Sequence, residues 1–209
     1  MSEEQVPGDA GAPAGGGERR GRRGWVRWAR FAAPLVGAVI GVTAANWGQL
    51  WHSGHGEADA HAVVVLPAAV EGYARQTDAD AAALVRQILA QGQGKEGVGM
   101  HVAGVYGPGG SSDVVVVEAL TGHAGHPDQD IAEDIDKQRA ATGVMMSAVD
   151  AGPLGGKAVC GTGISQGASA AMCEWIDADC FGRLVWSGAL ATDGPSHLQQ
   201  IRAQIERTD

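Results

Sequence analysis

Aromatic residues and cysteines are scarce in this chain. Its 209 residues include two Phe, two Tyr and three Cys. A core with so little aromatic mass must be built from Val, Leu, Ile and Ala. None of the cysteines forms a C-x-x-C pair, which excludes a thioredoxin-like redox motif and argues against a zinc knuckle. We therefore predict no cofactor.

Basic residues are scarce outside the N-terminal segment. Residues 52–209 carry nine Lys or Arg against twenty Asp or Glu, a balance of −11. An acidic body repels the phosphate backbone of nucleic acids. The charge pattern therefore predicts no nucleic-acid partner.

Charged residues are absent from residues 31–51, FAAPLVGAVIGVTAANWGQLW. Their number matches the ~20 residues that a transmembrane helix needs. Trp25 and Trp28 precede this segment, and Trp47 and Trp51 close it, as in the aromatic belts at membrane interfaces. The segment is predicted to cross the lipid bilayer once.

The six arginines between Arg19 and Arg30 all precede the predicted span. The positive-inside rule then places the N-terminus in the cytoplasm and the C-terminal domain outside the cell membrane. Two alternatives stay open: a buried core helix, and a signal peptide cleaved near the small residues of Val42-Thr43-Ala44. A cleaved signal peptide would export the body as well.

Composition and periodicity divide the chain into four parts. We predict a disordered cytoplasmic tail, a transmembrane helix with flanking Arg and Trp, a linker and an extracytoplasmic domain at residues 1–24, 25–51, 52–62 and 63–209. Within the domain, adjacent β-branched runs alternate with turn residues, and helical spacing begins after Thr77, after Pro127 and after Asp193. The pattern predicts an α+β fold, with a mainly antiparallel sheet of six or seven strands and about three helices on one face.

The cysteines lie in one segment, AVCGTGISQGASAAMCEWIDADC. If residues 166–167 form a two-residue hairpin loop, Cys160 lies directly opposite Cys173 in a non-hydrogen-bonded pair, at a Cα separation of ~4.5 Å that a disulfide tolerates. An exported domain would keep such a bond oxidised. Cys180 is then left free; alternatively it pairs with Cys173 across a turn at residues 176–177.

Two weaker patterns point to catalysis or metal binding. GISQG spells the G-x-S-x-G elbow of serine hydrolases around Ser165, but strand-like sequence follows where that elbow requires a helix. Imidazole and carboxylate groups suit transition metals, and the chain has two such clusters, a linker set of His52, His55 and His61 and a later set of His123, His126, Asp128 and Asp130. We predict no catalytic residue and no metal site, and keep a Ser165 hydrolase and a metal-responsive sensor as alternatives.

Short motifs between residues 63 and 205 resemble the exported domain of uncharacterised single-pass membrane proteins from high-GC actinobacteria. That pattern runs roughly LP…GY…GPLGG…CG…C-x-W-x-D…G and matches Leu66-Pro67, Gly72-Tyr73, residues 152–156, Cys160-Gly161, Cys173, Trp175, Asp177 and Gly182. The resemblance implies an extracytoplasmic α+β domain with a bridge between Cys160 and Cys173, and it implies no activity, substrate or cofactor. Cys180, Glu174 and Ile176 depart from it.

Trp175 and Asp177 admit two interpretations. An indole alternating with Cys173 on one strand fits a core position, and Asp177 fits a turn cap; both could instead contact a ligand. The sequence as a whole favours a membrane-anchored extracytoplasmic binding or interaction module that is not an enzyme. Its expected partners are the bilayer and a protein or cell-envelope ligand.

Overall fold

The computed structural model describes residues 62–93, 98–122, 131–132, 135, 144–165 and 167–208. Its strands are β1 Ala62–Val64, β2 Ala69–Val70, β3 Tyr73–Ala74, β4 Val98–Tyr106, β5 Val115–Gly122, β6 Met145–Val149, β7 Lys157–Ser165, β8 Ala168–Ile176, β9 Cys180–Ser187 and β10 Glu206–Thr208. Its helices with defined bounds are α1 Ala79–Gly92 and α2 Leu198–Ile205, the latter preceded by 3-10 turns at Gly188–Ala191 and Gly194–His197. Residues 131, 132 and 135 are also helical.

Six strands form one antiparallel sheet in the order β4-β5-β9-β8-β7-β6. Two short antiparallel pairs, β1–β10 and β2–β3, lie outside it. The predicted α+β class with a mainly antiparallel sheet is confirmed. Strand β10 was not predicted; it pairs with β1, at the start of the domain that the sequence placed from residue 63.

Helices lie on both faces of the sheet, so the prediction of one covered face is wrong. Helix α1 and Ile131 pack with Val116 and Val185 on one face, which we call the α1 face. Helix α2 and strand β1 pack with the residues that alternate with these, such as Val117 and Leu184, on the α2 face. The physical reason is visible in β5 and β9, which are buried along their whole lengths. A strand buried on both faces has a continuous apolar run instead of alternation.

Helix α1 begins at Ala79, one residue later than the helical spacing after Thr77 predicts. Its cap is Asp78, whose Oδ1 atom accepts hydrogen bonds from the backbone N–H groups of Asp80 and Ala81 at 3.1 Å each. A carboxylate at this position satisfies two of the donors that every helix leaves free at its start. Ala81 and Ile88 are buried at helical spacing against the sheet.

Several predictions concern residues outside the described ranges. They are the cytoplasmic tail, the transmembrane segment, most of the linker with its histidines, and the later His123 cluster. Within the described ranges, no helix combines the length and the apolar composition that a bilayer crossing requires.

Candidate functional site

The cysteine hairpin has the predicted register. Ser165 pairs with Ala168 at the loop, and Cys160 lies opposite Cys173. These two cysteines are joined by a disulfide with a Cα–Cα distance of 4.1 Å. The bond therefore ties together two neighbouring strands in the interior of the sheet.

Cys180 is a free, fully buried thiol at the start of β9. The alternative bridge between Cys173 and Cys180 is therefore absent from this structure. Burial raises the pKa of the Cys180 thiol well above its usual range, and the negative charges of Glu206 and Asp177 raise it further. Because the thiolate is the reactive form, burial and the raised pKa both disfavour reaction of this cysteine at neutral pH.

Trp175 stacks on a glycine of the neighbouring strand. The residue lies opposite Gly182 on the α2 face and is 0% exposed. A Cβ atom added to Gly182 would overlap the indole ring. Aromatic packing over a cross-strand glycine is a known device for filling the space that glycine leaves in a sheet.

Arg202 of α2 connects the residues around Trp175. Its guanidinium donates to Glu206 at 2.8 and 3.1 Å and to the Oδ2 atom of Asp177 at 2.6 Å. The same guanidinium lies 5.8 Å from the centre of the Trp175 ring. The indole N–H of Trp175 donates to Glu206 at 2.9 Å. We call Trp175, Asp177, Arg202 and Glu206 the Arg202 cluster.

The GPLGG motif at residues 152–156 and the alanine before it complete this cluster with backbone groups. The Nη1 atom of Arg202 donates to the carbonyl oxygens of Ala151 and Gly155, at 3.1 and 2.7 Å. Gly156 has φ +81°, and a Cβ there would collide with the carbonyl of Ile176. The absence of a side chain at Gly156 thus allows this turn to approach the end of β8 closely.

Burial and charge move the two carboxyl pKa values of the Arg202 cluster in opposite directions. Burial and the nearby charge of Glu206 raise the pKa of Asp177 to about 6, although the N–H groups of Asp179 and Cys180 oppose the shift. Burial alone would raise the pKa of Glu206. The hydrogen bonds and charge of Arg202 outweigh it, and the pKa of Glu206 is lowered. The positive charge of Arg202 therefore stabilises the carboxylate of Glu206 more than it stabilises the carboxylate of Asp177.

These contacts give Trp175 and Asp177 structural roles. Trp175 is sealed in the core, and the Oδ1 atom of Asp177 accepts from the N–H groups of Asp179 and Cys180, at 2.8 and 2.7 Å. Asp177 therefore caps the β8–β9 turn, as the sequence suggested. Contact of either residue with a ligand stays a prediction.

A second cluster of buried polar side chains lies on the α1 face and extends over four strands. It was not predicted from the sequence. Glu118 on β5 lies opposite Arg183 on β9, and Arg183 lies opposite Glu174 on β8. The Nε atom of Arg183 donates to Glu174, and its Nη1 lies 3.7 Å from Glu118. His101 on β4 contacts Glu118 at 3.0 Å. We call these four residues the charged row.

The charged row is almost completely shielded from solvent, since Glu118, Glu174 and Arg183 are each at most 4% exposed. Ions transferred from water into such a site need each other as partners. A one-residue slip of any of these strands would turn a charge to the opposite face and leave its partner uncompensated. The row therefore fixes the strand register. Single charges within apolar runs, such as Glu118 in VVVVEAL, were the available sequence signal.

Ser165 does not occupy a strand–turn–helix elbow. It is the last residue of β7, is 9% exposed, and is followed through the hairpin by β8. His197, the histidine that follows Ser165 in the sequence, contacts Glu71. The described residues contain no group of three or more His, Cys, Asp or Glu side chains that could hold a metal ion.

The β6 side of the sheet exposes apolar side chains. Met145 is 63% exposed, Val149 40% and Ile164 67%. Met145 lies opposite Thr162 on β7, two residues before Ile164 on the same face. We call these three residues the apolar edge.

Comparison of the whole chain with known proteins finds no relative. The chain matches no protein-family model, no curated protein and no solved structure.

Proposed function

We propose that the chain is a single-pass membrane protein with a cytoplasmic N-terminus, whose exported domain is an interaction module and not an enzyme. The observation that carries the proposal is the Cys160–Cys173 disulfide. Disulfides persist in oxidising compartments and are rare in the cytosol. The bond belongs to a domain that follows a charge-free segment flanked by arginines, at residues 31–51.

The apolar edge supports the interaction part of the proposal. Large apolar side chains scattered singly on a surface are ordinary, but three on adjoining strands at the edge of a sheet mark a contact surface. Met145 and Ile164 are close enough diagonally to form one patch. A protein or a cell-envelope component with an apolar surface is the expected ligand.

The state of the reactive groups favours binding over catalysis. Arg183 and Arg202, the two buried cations in the part of the chain that the structure describes, are each held between carboxylates. The free thiol of Cys180 is buried and its pKa is raised. The resemblance to exported actinobacterial domains leads to the same location and supplies no activity.

Thiol counting in intact cells tests the location. Cells producing the full chain are quenched with acid, and the denatured protein is treated with a maleimide mass tag before or after reduction. We expect one tag, on Cys180, without reduction and three tags after it. Three tags without reduction, together with recovery of the chain in the soluble fraction, would overturn the proposal.

Photo-crosslinking tests the interaction surface. A photoreactive residue is placed at Ile164, and in a matched control at Met100, which is 48% exposed on β4 at the other end of the sheet. We expect discrete adducts from position 164, several-fold more abundant than from position 100. Equal labelling from both positions would show that the apolar edge has no special role.

A further inference from the structure

Strand β6 forms one edge of the six-stranded sheet. Among the described residues, no strand pairs with its outer side. The opposite edge is partly covered, because Arg75 forms a bridge with Tyr106 of β4 and the N–H of Gln76 donates to Val105 at 2.8 Å. Charges or prolines usually protect edge strands from pairing with another chain. The sequence of β6, MMSAV, contains neither.

The register of the disulfide hairpin shows which backbone groups of β6 point outward. Cys160 and Cys173 form a non-hydrogen-bonded pair, so the N–H and C=O of Cys160 point away from β8, toward β6. Ser147 lies opposite Cys160 and therefore bonds inward. By alternation, Met146 and Ala148 direct their N–H and C=O groups to the outer side.

We propose, extending the interaction module above, that the partner of this edge is β6 of a second copy of the chain, paired antiparallel about a two-fold axis at Ser147. In this register Met146 of each copy lies opposite Ala148 of the other copy. All four outward-pointing N–H and C=O groups of each strand are then used in hydrogen bonds. The two sheets become one continuous sheet.

The side chains of β6 are self-complementary in the same register. Met145 of one copy lies opposite Val149 of the other on the α2 face, and these are the two large exposed apolar residues of the strand. The two Ser147 residues face each other across the axis. Apolar cross-strand pairs of this kind stabilise a sheet.

Charge does not oppose this pairing. The nearest acidic residue after the strand is Asp150, which lies opposite Val144 of the second copy. The two Asp150 residues are then six positions apart along the strands, about 20 Å, which exceeds the Debye length at physiological salt. An isologous two-fold contact also closes on itself, so it gives a dimer and not a filament.

The contact is small, because it joins five residues from each copy where a stable interface joins ~20–30. We therefore expect a dimer that forms in the membrane, where anchoring raises the effective concentration, and dissociates on dilution in detergent.

Register-specific disulfide trapping tests the proposal. Two differently tagged full chains, Met145→Cys and Val149→Cys, are co-produced in one membrane and oxidised with copper–phenanthroline. The proposed register puts these cysteines at ~4.5 Å in a non-hydrogen-bonded pair. We expect a cross-linked species carrying both tags, several-fold above the dimer from either variant alone. Two copies of the same variant would hold their cysteines about 14 Å apart.

Two further variants make the result decisive. Met100→Cys, on the opposite edge, should give only background cross-linking. Adding Ser147→Lys to both chains places two ammonium groups face to face on the axis, and should remove most of the Met145–Val149 cross-link. An intact Cys160–Cys173 bond in each variant shows that the domain is folded.

Each remaining outcome contradicts a distinct statement. Equal cross-linking of the mixture and the single variants would overturn the two-fold register. An absence of cross-linking from a membrane-bound chain with an intact disulfide would overturn self-pairing and leave the exported module standing. A soluble chain with three reduced thiols would overturn the proposed location itself.

Discussion

Arg202 is 1% exposed and holds three different groups at once: a tryptophan ring, two carboxylates and the carbonyls of the glycine turn. These groups come from the end of β8 and the turn after it, from β10, and from the turn at residues 151–155, so one side chain joins all three to α2. Removing one member of a buried ion pair is costly because the other charge stays buried without compensation.

Replacing Arg202 by methionine should therefore destabilise the protein strongly. We expect a loss of about 3–5 kcal/mol in the free energy of unfolding, because Glu206 is left buried without its cation. Denaturant unfolding of the full chain in mild detergent measures the loss. Arg207→Met is the matched control, since Arg207 is exposed, and a change within about 0.5 kcal/mol is expected there. Equal losses in both variants would contradict the role of the cluster.

A single methyl group should disturb the stacking of Trp175. In Gly182→Ala the new Cβ overlaps the indole ring, so the ring or the strand must shift. Overpacking of this kind costs about 1–3 kcal/mol. The control is Gly109→Ala, where no atom lies within 4 Å of the added Cβ. Thermal or denaturant unfolding compares the two, and an unchanged stability of Gly182→Ala would contradict the packing.

At the scale of elements, the β7–β8 hairpin shows what the sequence could predict. A two-residue loop fixes the register of the strands on either side, so counting outward from residues 166–167 places Cys160 opposite Cys173. The neighbours β5 and β9 have no such loop between them, and their pairing is not local. The charged row depends on that pairing, so Glu118 and Arg183 could not be joined from the sequence.

The covering of the sheet illustrates the same limit. The periodicity of α1 and α2 identifies their apolar sides but not the face of the sheet that each one meets. The unbroken valine run of β5 indicated burial on both faces, which a single helical layer cannot provide.

The disulfide should contribute a measurable part of the stability of the hairpin. Closing a loop of this length, with a sequence separation of 13, corresponds to ~3 kcal/mol in the chain-entropy model. We expect Cys160→Ala combined with Cys173→Ala to lose about that amount in denaturant unfolding. Wild-type protein kept in reductant should match the double variant. If reductant left the wild type unchanged, the bond would not stabilise the fold.

At the scale of the whole molecule, stability should fall as the pH rises from 5 to 7. The pKa of Asp177 is about 6 in the folded protein, above its ordinary value of 3.8. Between these values the folded state keeps a proton that the unfolded state has lost, so raising the pH favours unfolding. From pH 5 to pH 7 the loss in the free energy of unfolding is roughly 1 kcal/mol. Glu206, with a lowered pKa, adds stability as the pH rises, but only at more acidic pH.

Asp177→Asn isolates this effect. The amide keeps an oxygen that can cap the β8–β9 turn but does not titrate. We expect the difference in unfolding free energy between wild type and variant to change by roughly 1 kcal/mol from pH 5 to pH 7, in favour of the variant. Parallel pH profiles would show that Asp177 does not retain its proton in the folded protein.

The pairing of β1 with β10 has a mechanical consequence. Ala62 lies beside Thr208, and Val64 lies beside Glu206, so a pulling force applied at residues 62 and 208 loads their mutual hydrogen bonds one after another. Because the hydrogen bonds of this pair break one at a time, the pair opens at low force. The six-stranded sheet does not lie in the direct line of force. The short β1–β10 pair should therefore separate before the six-stranded sheet when the two ends are pulled apart.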